Sequence, residues 1–126
     1  MSAFCSVSLD PPLVLVCVDE RSETHAGFQA SGLFGVSVLA EGQDDVSRLF
    51  ARPGPEKFSQ LRMSRGAHGV SLVPGALAHL ECAARASHVA GDHVIYVGEI
   101  LTLAVRAGRP LVYHRGAYRR LSGEAE

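Results

Sequence analysis

The chain has 126 residues, room for one domain with one apolar core. Apolar residues make up 47% and charged residues 20%, the mix of a folded globular protein rather than a disordered one. Twelve basic residues against thirteen acidic ones leave a formal charge of −1, without the basic excess that a phosphate-tracking surface needs, so nucleic acid is not expected as a partner.

The longest apolar run, Pro11 to Val18, is less than half a membrane span. The opening MSAFCSVSLD has neither a basic region nor an apolar segment of signal length. No membrane association and no export are therefore expected. The absence of Asn removes any N-glycosylation site. Cys5, Cys17 and Cys82 are widely spaced and form no CxxC pair, which reads as reduced thiols in a cytoplasmic protein.

In chain order, Pro12 to Val18 is a short β-branched run between a Pro pair and the charged Asp19, Glu20 and Arg21, and reads as a strand buried on both faces. Ser22 is placed to cap a short helix running to about Ala30, with Gly32 as its stop. Leu33 to Leu39 reads as a second strand interrupted at Gly35. Gln43 to Ala51 puts Val46, Leu49 and Phe50 on one helical face, and Pro53 and Pro55 end that helix. The pattern then weakens: Phe58, Leu61 and Met63 suit one helical turn, followed by a loop through Gly66 and Gly69.

The second half is clearer. Leu80, Cys82, Ala84 and Ala86 alternate with Glu81, Arg85 and Ser87, which is strand periodicity and predicts polar side chains pointing outward. Ala90, Gly91 and Asp92 make a tight turn, and His93 to Val105 returns as a long apolar strand to close a hairpin. After a turn at 107–110, Leu111 to His114 and Tyr118 to Leu121 complete a meander. The sum is five or six mostly antiparallel strands with two or three short helices between the early ones, a small barrel with helical excursions. The domain is expected over 1–121, with 122–126 as a tail.

The common catalytic motifs are missing. No GxGxxG follows a strand, Lys57 lacks P-loop glycines, and the six histidines offer neither HExxH nor a ligand spacing that suits a metal. Three polar clusters remain, each at the end of a predicted strand. In Ser2 to Ser8, small hydroxyls alternate, with Phe4 and Val7 expected to point elsewhere; the plain alternative is an ordinary edge strand. Arg21, Ser22, Glu23 and Thr24 open a helix, where unpaired N–H groups and a partial positive charge suit a phosphate; the plain alternative is a capped helix. Asp92 and His93 form a turn just ahead of Gly98 and Glu99, and a turn histidine is commonly a solvated one.

The order of SxFxSVSLDPPLVLVCVD, a Ser22-x-Thr24 helix start, GALAHLEC, GDHVIYVGEI and PLVYHRGAYRRL resembles the flavin reductase-like family, over essentially Ser2 to Leu121. The pairing of SVSLDPPL with GDHxxxxGE is the specific part. The resemblance implies a mainly β fold with short helices, an antiparallel split β-barrel of the FMN-binding kind. The chain begins inside the SxFxSVS strand, so the usual first barrel strand is expected to be lacking. The implied activity is NAD(P)H-dependent reduction of FMN or FAD, an oxidoreductase supplying reduced flavin to a partner flavin-dependent monooxygenase, with NADH or NADPH as co-substrate and a homodimer as the assembly. By the same resemblance Ser2, Ala3, Phe4, Cys5, Ser6 and Ser8 lie along the flavin. Arg21, Ser22 and Thr24 lie near its phosphate, and His93 beside the nicotinamide, with Asp92 orienting the turn. Tyr113 and Tyr118 border the isoalloxazine or the nicotinamide, and no metal is involved. Two other readings are a flavin-binding electron carrier or sensor without turnover, and a degenerate split-barrel dimer with a structural role.

Hydride transfer between two flat rings asks the protein for a shaped slot, backbone donors and a phosphate anchor rather than a strong acid or nucleophile. That agrees with the absence of a recognisable nucleophile motif.

Overall fold

The apolar run at Pro12 forms a strand because its β-branched side chains suit a pleated, half-buried surface. In the computed structural model, which describes residues 3–51 and 62–123, that strand is β2 (Pro12–Asp19), preceded by β1 (Ala3–Leu9). Then follow α1 (Glu23–Ser31), β3 (Leu33–Val38), α2 (Asp44–Ala51), β4 (Ser64–Arg65), β5 (Ser71–Leu72), β6 (Ala78–Ala90), β7 (His93–Val105), β8 (Val112–His114) and β9 (Ala117–Arg119). The main sheet has the order β1-β2-β7-β6-β3, while β4-β5 and β8-β9 form separate two-stranded sheets. The described residues divide into two compact units, one of residues up to Gly35 together with Leu80–Thr102, the other of Val36–His79 together with Leu103 onward. Among the described residues no helix is long and apolar enough to cross a membrane.

In the first unit, β2 pairs antiparallel with β1 on one side and with β7 on the other. Val14, Val16 and Val18 are buried, whereas Leu13, Leu15 and Cys17 are half-buried. The strand is thus fully covered on one face only, not on both as its sequence suggested, because an antiparallel strand next to an edge strand has one protected side. The valines share their face with Val94 and Tyr96 of β7, which stand opposite Val18 and Val16. Each valine removed from water there contributes roughly 1.5–3 kcal/mol.

α1 closes this face. Ser22 caps it by accepting the His25 N–H at 3.1 Å, and Gly32 ends it in the left-handed region, φ 71°, with its N–H donating to the Phe28 carbonyl at 2.9 Å. Phe28 stacks on the buried Phe34 at 4.8 Å between ring centres and meets Tyr96 edge-on at 5.3 Å. β3 runs unbroken through Gly35, contrary to the expected interruption. Gly98 of β7 matters more: a Cβ there would sit 2.7 Å from Phe34 Cε1 and 3.1 Å from Cys82 Cβ, so the Phe34 ring occupies the space that only a glycine leaves.

β6 departs from simple alternation. Leu80, Glu81, Cys82 and Ala83 are all buried in succession, and Ala86 is exposed. Glu81, expected to point outward, is tolerated inside because it accepts a hydrogen bond from Thr102 Oγ1 at 2.5 Å. Burial pushes the neighbouring Cys82 thiol up to about 11, whereas Cys5 is exposed. Only the thiolate attacks electrophiles. A maleimide at neutral pH should therefore label Cys5 readily and leave Cys82 untouched until denaturant is added. Mass spectrometry of the labelled peptides checks this, and rapid labelling of Cys82 in the folded protein would contradict it.

In the second unit, α2 carries Val46, Leu49 and Phe50 on its half-buried side, as the spacing predicts. Asp44 and Asp45 in its first turn hold Arg48 at 2.8 and 3.2 Å. Pro53, Pro55, Phe58 and Leu61 lie outside the described residues. Met63 is in irregular chain leading into β4, and the expected glycine loop is instead the turn of the β4-β5 hairpin, with Gly69 at φ 78°. β8 and β9 do not extend the main sheet as a meander; they form their own hairpin around Arg115 and Gly116, both at positive φ. Arg109 donates to the Leu121 carbonyl at 2.7 Å and to that of Gly123, tying down the end of the described chain.

Candidate active site

A two-residue turn at Gly91 and Asp92 joins β6 to β7, and the antiparallel register sets His93 directly opposite Asp19 at the far end of β2. The Glu20 N–H donates to the Asp92 carbonyl at 3.0 Å, locking the two chain segments together. Just beyond, the Asp19 carboxylate accepts the Arg21 N–H at 2.8 Å and lies 3.7 Å from Arg21 Nε. The Asp19 carbonyl accepts both the N–H (3.1 Å) and the hydroxyl (2.8 Å) of Ser22. Two of the three predicted clusters, Arg21–Thr24 and Asp92–His93, thus meet at one corner of the first unit. Asp19, which the sequence reading did not single out, is the hinge of that corner.

β1 brings in part of the third cluster. Ala3 pairs with Cys17, two residues from Asp19, so β1 begins at the same end of the sheet. Ser8 pairs with Leu13 at the other end, about 13 Å further along. The strand also splits its candidates between faces. Phe4 and Ser6 oppose Val16 and Val14 and share the face that carries Tyr96, whereas Ala3, Cys5 and Ser8 share the face of His93. The expectation that the hydroxyls point one way and Phe4 elsewhere is therefore corrected: Phe4 and Ser6 go together and Ser8 does not. The reason is a β-bulge between Ser6 and Ser8, where Val7 is the additional residue and reverses the alternation. Ser2 lies outside the described residues.

The electrostatics of the corner follow from its contacts. Asp92 Oδ1 lies 2.8 Å from His93 Nδ1. The hydrogen bond from His93, its charge when protonated and the more distant Arg21 guanidinium hold the Asp92 carboxyl below the usual aspartate range. A carboxylate only accepts hydrogen bonds, so Nδ1 of neutral His93 carries the proton and Nε2 presents its lone pair. Asp92 therefore orients the ring as well as the turn. The pair is intact at neutral pH and is lost only when acid protonates Asp92, at a pH lower than for a free aspartate. His93 itself is half-buried, and the Arg21 side chain is 80% exposed.

These residues fit a phosphate-bearing aromatic ligand in three respects. The first N–H groups of α1 have no intrahelical acceptor, and Arg21 stands exposed beside them. β1 is the edge strand of its sheet, with nearly every residue exposed. His93 offers one nitrogen in a fixed orientation. Among the described residues no cluster of His, Cys, Asp or Glu suits a metal ion.

Tyr113 and Tyr118 belong to the second unit. They face each other across the β8-β9 hairpin with ring centres 5.1 Å apart, Tyr118 beneath the Arg48 guanidinium at 4.8 Å and donating to Ser47 Oγ at 2.9 Å. Tyr113 is 65% exposed.

Comparisons with known proteins agree on one family. Residues 1–122 match the family described as flavin reductase like domain. The chain is 43% identical over 122 residues to the FMN reductase (NADH) SmoA of Agrobacterium fabrum, spanning 97% of this chain and 70% of that protein. It superimposes with TM-score 0.89 and 38% identity on the Streptomyces globisporus NADH:FAD oxidoreductase SgcE6 in complex with NAD and FAD fragments, covering 98% of this chain and 76% of that one. The flavin reductase component of a bacterial two-component tryptophan halogenase, BorF, gives 0.86 and 45%, covering 96% and 79%. The mainly β antiparallel fold is thus shared with solved split-barrel flavin reductases, and the chain belongs to the flavin reductase-like domain family.

Proposed function

We propose that this chain is an NAD(P)H-dependent flavin reductase that passes a hydride to FMN or FAD and releases the reduced flavin to a partner monooxygenase. The observation that carries the reading is the meeting of the Arg21–Thr24 helix start with the Asp92–His93 turn beside the first residues of β1, in a member of this family. SmoA and SgcE6, named for NADH-dependent reduction of FMN and FAD, and BorF, a reductase component, support the same chemistry here.

Flavin, when bound, supplies the hydride-accepting ring. The chain supplies the rest. The Arg21 guanidinium and the open N–H groups of α1, held by the Ser22 cap and flanked by Thr24, take the phosphate. Backbone groups along the start of β1, from Ala3 to Ser6, take the ring edge, and Ser8 follows further along the same strand. His93, its ring fixed by Asp92, takes the nicotinamide carboxamide at Nε2 and so sets the stacking of the two rings.

Two further parts of the reading are a homodimer and a cytoplasmic location. Phe4, Val7 and Leu9 of the edge strand are 41%, 49% and 96% exposed, an uncharged surface suited to a second subunit. Three free cysteines suit a reducing compartment.

Purified protein should bleach the absorbance of added FMN or FAD when NADH or NADPH is supplied anaerobically. Rates no higher than those of free flavin, with every flavin and nucleotide pairing tried, would overturn the proposal.

A further inference from the structure

Tyr96 lies in the middle of an apolar strand and is 5% exposed, yet its hydroxyl is not stranded: it lies 2.7 Å from Nδ1 of His25. The ring centres are 5.8 Å apart, and Phe28 packs edge-on against the same tyrosine. Burial pushes the Tyr96 hydroxyl above its ordinary value, so it keeps its proton and shares one hydrogen bond with the His25 ring. His25 is the third residue of α1, and its own N–H is the one that the Ser22 hydroxyl caps. One residue thus joins two restraints: its backbone closes the first turn of α1, and its ring ties that turn to β7. Tyr96 stands three residues along β7 from His93, on the opposite face. The first turn of α1 is therefore fixed relative to the strand that carries the Asp92–His93 corner.

We propose that Tyr96, acting through His25, is a positioning residue that holds the α1 first turn at the distance from His93 required to anchor the flavin phosphate while the ring lies at the corner. The inference deepens the reductase reading above and rests on its assignment of the phosphate to Arg21, Ser22 and Thr24. The arrangement has no other evident purpose as a polar pair. A phenylalanine at position 96 would fill the same core volume, and nothing in the packing of Phe28 and Phe34 requires the hydroxyl.

The test compares FMN with riboflavin, which carries the same ring without the phosphate. Equilibrium titrations by flavin fluorescence are run on wild type, Tyr96→Phe, His25→Ala and the double variant, with thermal melts to establish folding. Wild type should bind FMN more tightly than riboflavin. Each single variant should weaken FMN by about fivefold, the loss expected for one hydrogen bond, and leave riboflavin within twofold. The double variant should be no worse than either single one, because both remove the same strap. Equal weakening of FMN and riboflavin would reduce the pair to ordinary packing and overturn the inference, as would unchanged FMN binding. If Tyr96→Phe does not fold, His25→Ala at its half-buried site decides by the same comparison. Wild-type protein that binds FMN no more tightly than riboflavin would overturn the phosphate assignment itself and this inference with it. Failure of the variants alone leaves the reductase reading standing.

Discussion

Gly98→Ala should destabilise the protein by about 3 kcal/mol, the upper part of the range for overpacking a tight core, and lower the melting midpoint by about 10 °C for a domain of this size. The added methyl lands on the Phe34 ring and against Cys82, and none of the three groups has room to retreat: Phe34 is 2% exposed and stacked on Phe28, and Cys82 is fully buried. The measurement is a thermal or denaturant melt. The companion experiment restores the volume: Gly98→Ala combined with Phe34→Leu should recover part of the loss, since the shorter side chain vacates the space the methyl needs. A Gly98→Ala protein as stable as wild type would mean that Phe34 has another place to go.

His93→Ala should lower kcat/KM for NADH by roughly ten- to a hundredfold, the cost of misplacing one reacting ring against the other, while flavin affinity stays within about twofold. The separation is expected because His93 is held by Asp92 at the end of β7, whereas the proposed phosphate anchor is held by Asp19 and by the α1 cap. Asp92→Asn should give a smaller loss, because an amide oxygen still accepts from Nδ1 while the charge that favours that arrangement is gone. Loss of flavin binding in His93→Ala would assign this histidine to the flavin rather than to the nicotinamide.

Much of this organisation is readable from the sequence, for local reasons. Ser22 and Gly32 mark the ends of α1 because a cap needs a side-chain acceptor and a left-handed stop needs a glycine, and both requirements are met within the helix itself. The limits of β7 are equally local, set by the Gly91–Asp92 turn and by the length of one apolar run. What the sequence does not reveal depends on neighbours far along the chain. Glu81 looks like a solvent-facing residue until Thr102 comes to it from the next strand. β8 and β9 have the length and alternation to extend a sheet, yet among the described residues they pair only with each other.

The candidate site divides in the same way. Family resemblance brings Arg21, Ser22, Asp92 and His93 forward together, and the register between β2 and β7 gives the physical cause of their meeting. Asp19 escapes because it looks like the end of a strand, and Tyr96 because a tyrosine among valines and isoleucines reads as core. For Gly98, the motif marks the position but not the reason, which is the ring of Phe34.

The bulge at Val7 makes β1 two strips in opposite phase. Ahead of it the even-numbered Phe4 and Ser6 share the face of Tyr96, and behind it the odd-numbered Leu9 does. Deleting that one residue would bring the strips back into step. Ser8 would stay opposite Leu13 and Leu9 opposite Pro12, each on its present face, so a shorter chain would keep every remaining side chain of the strand where it is now.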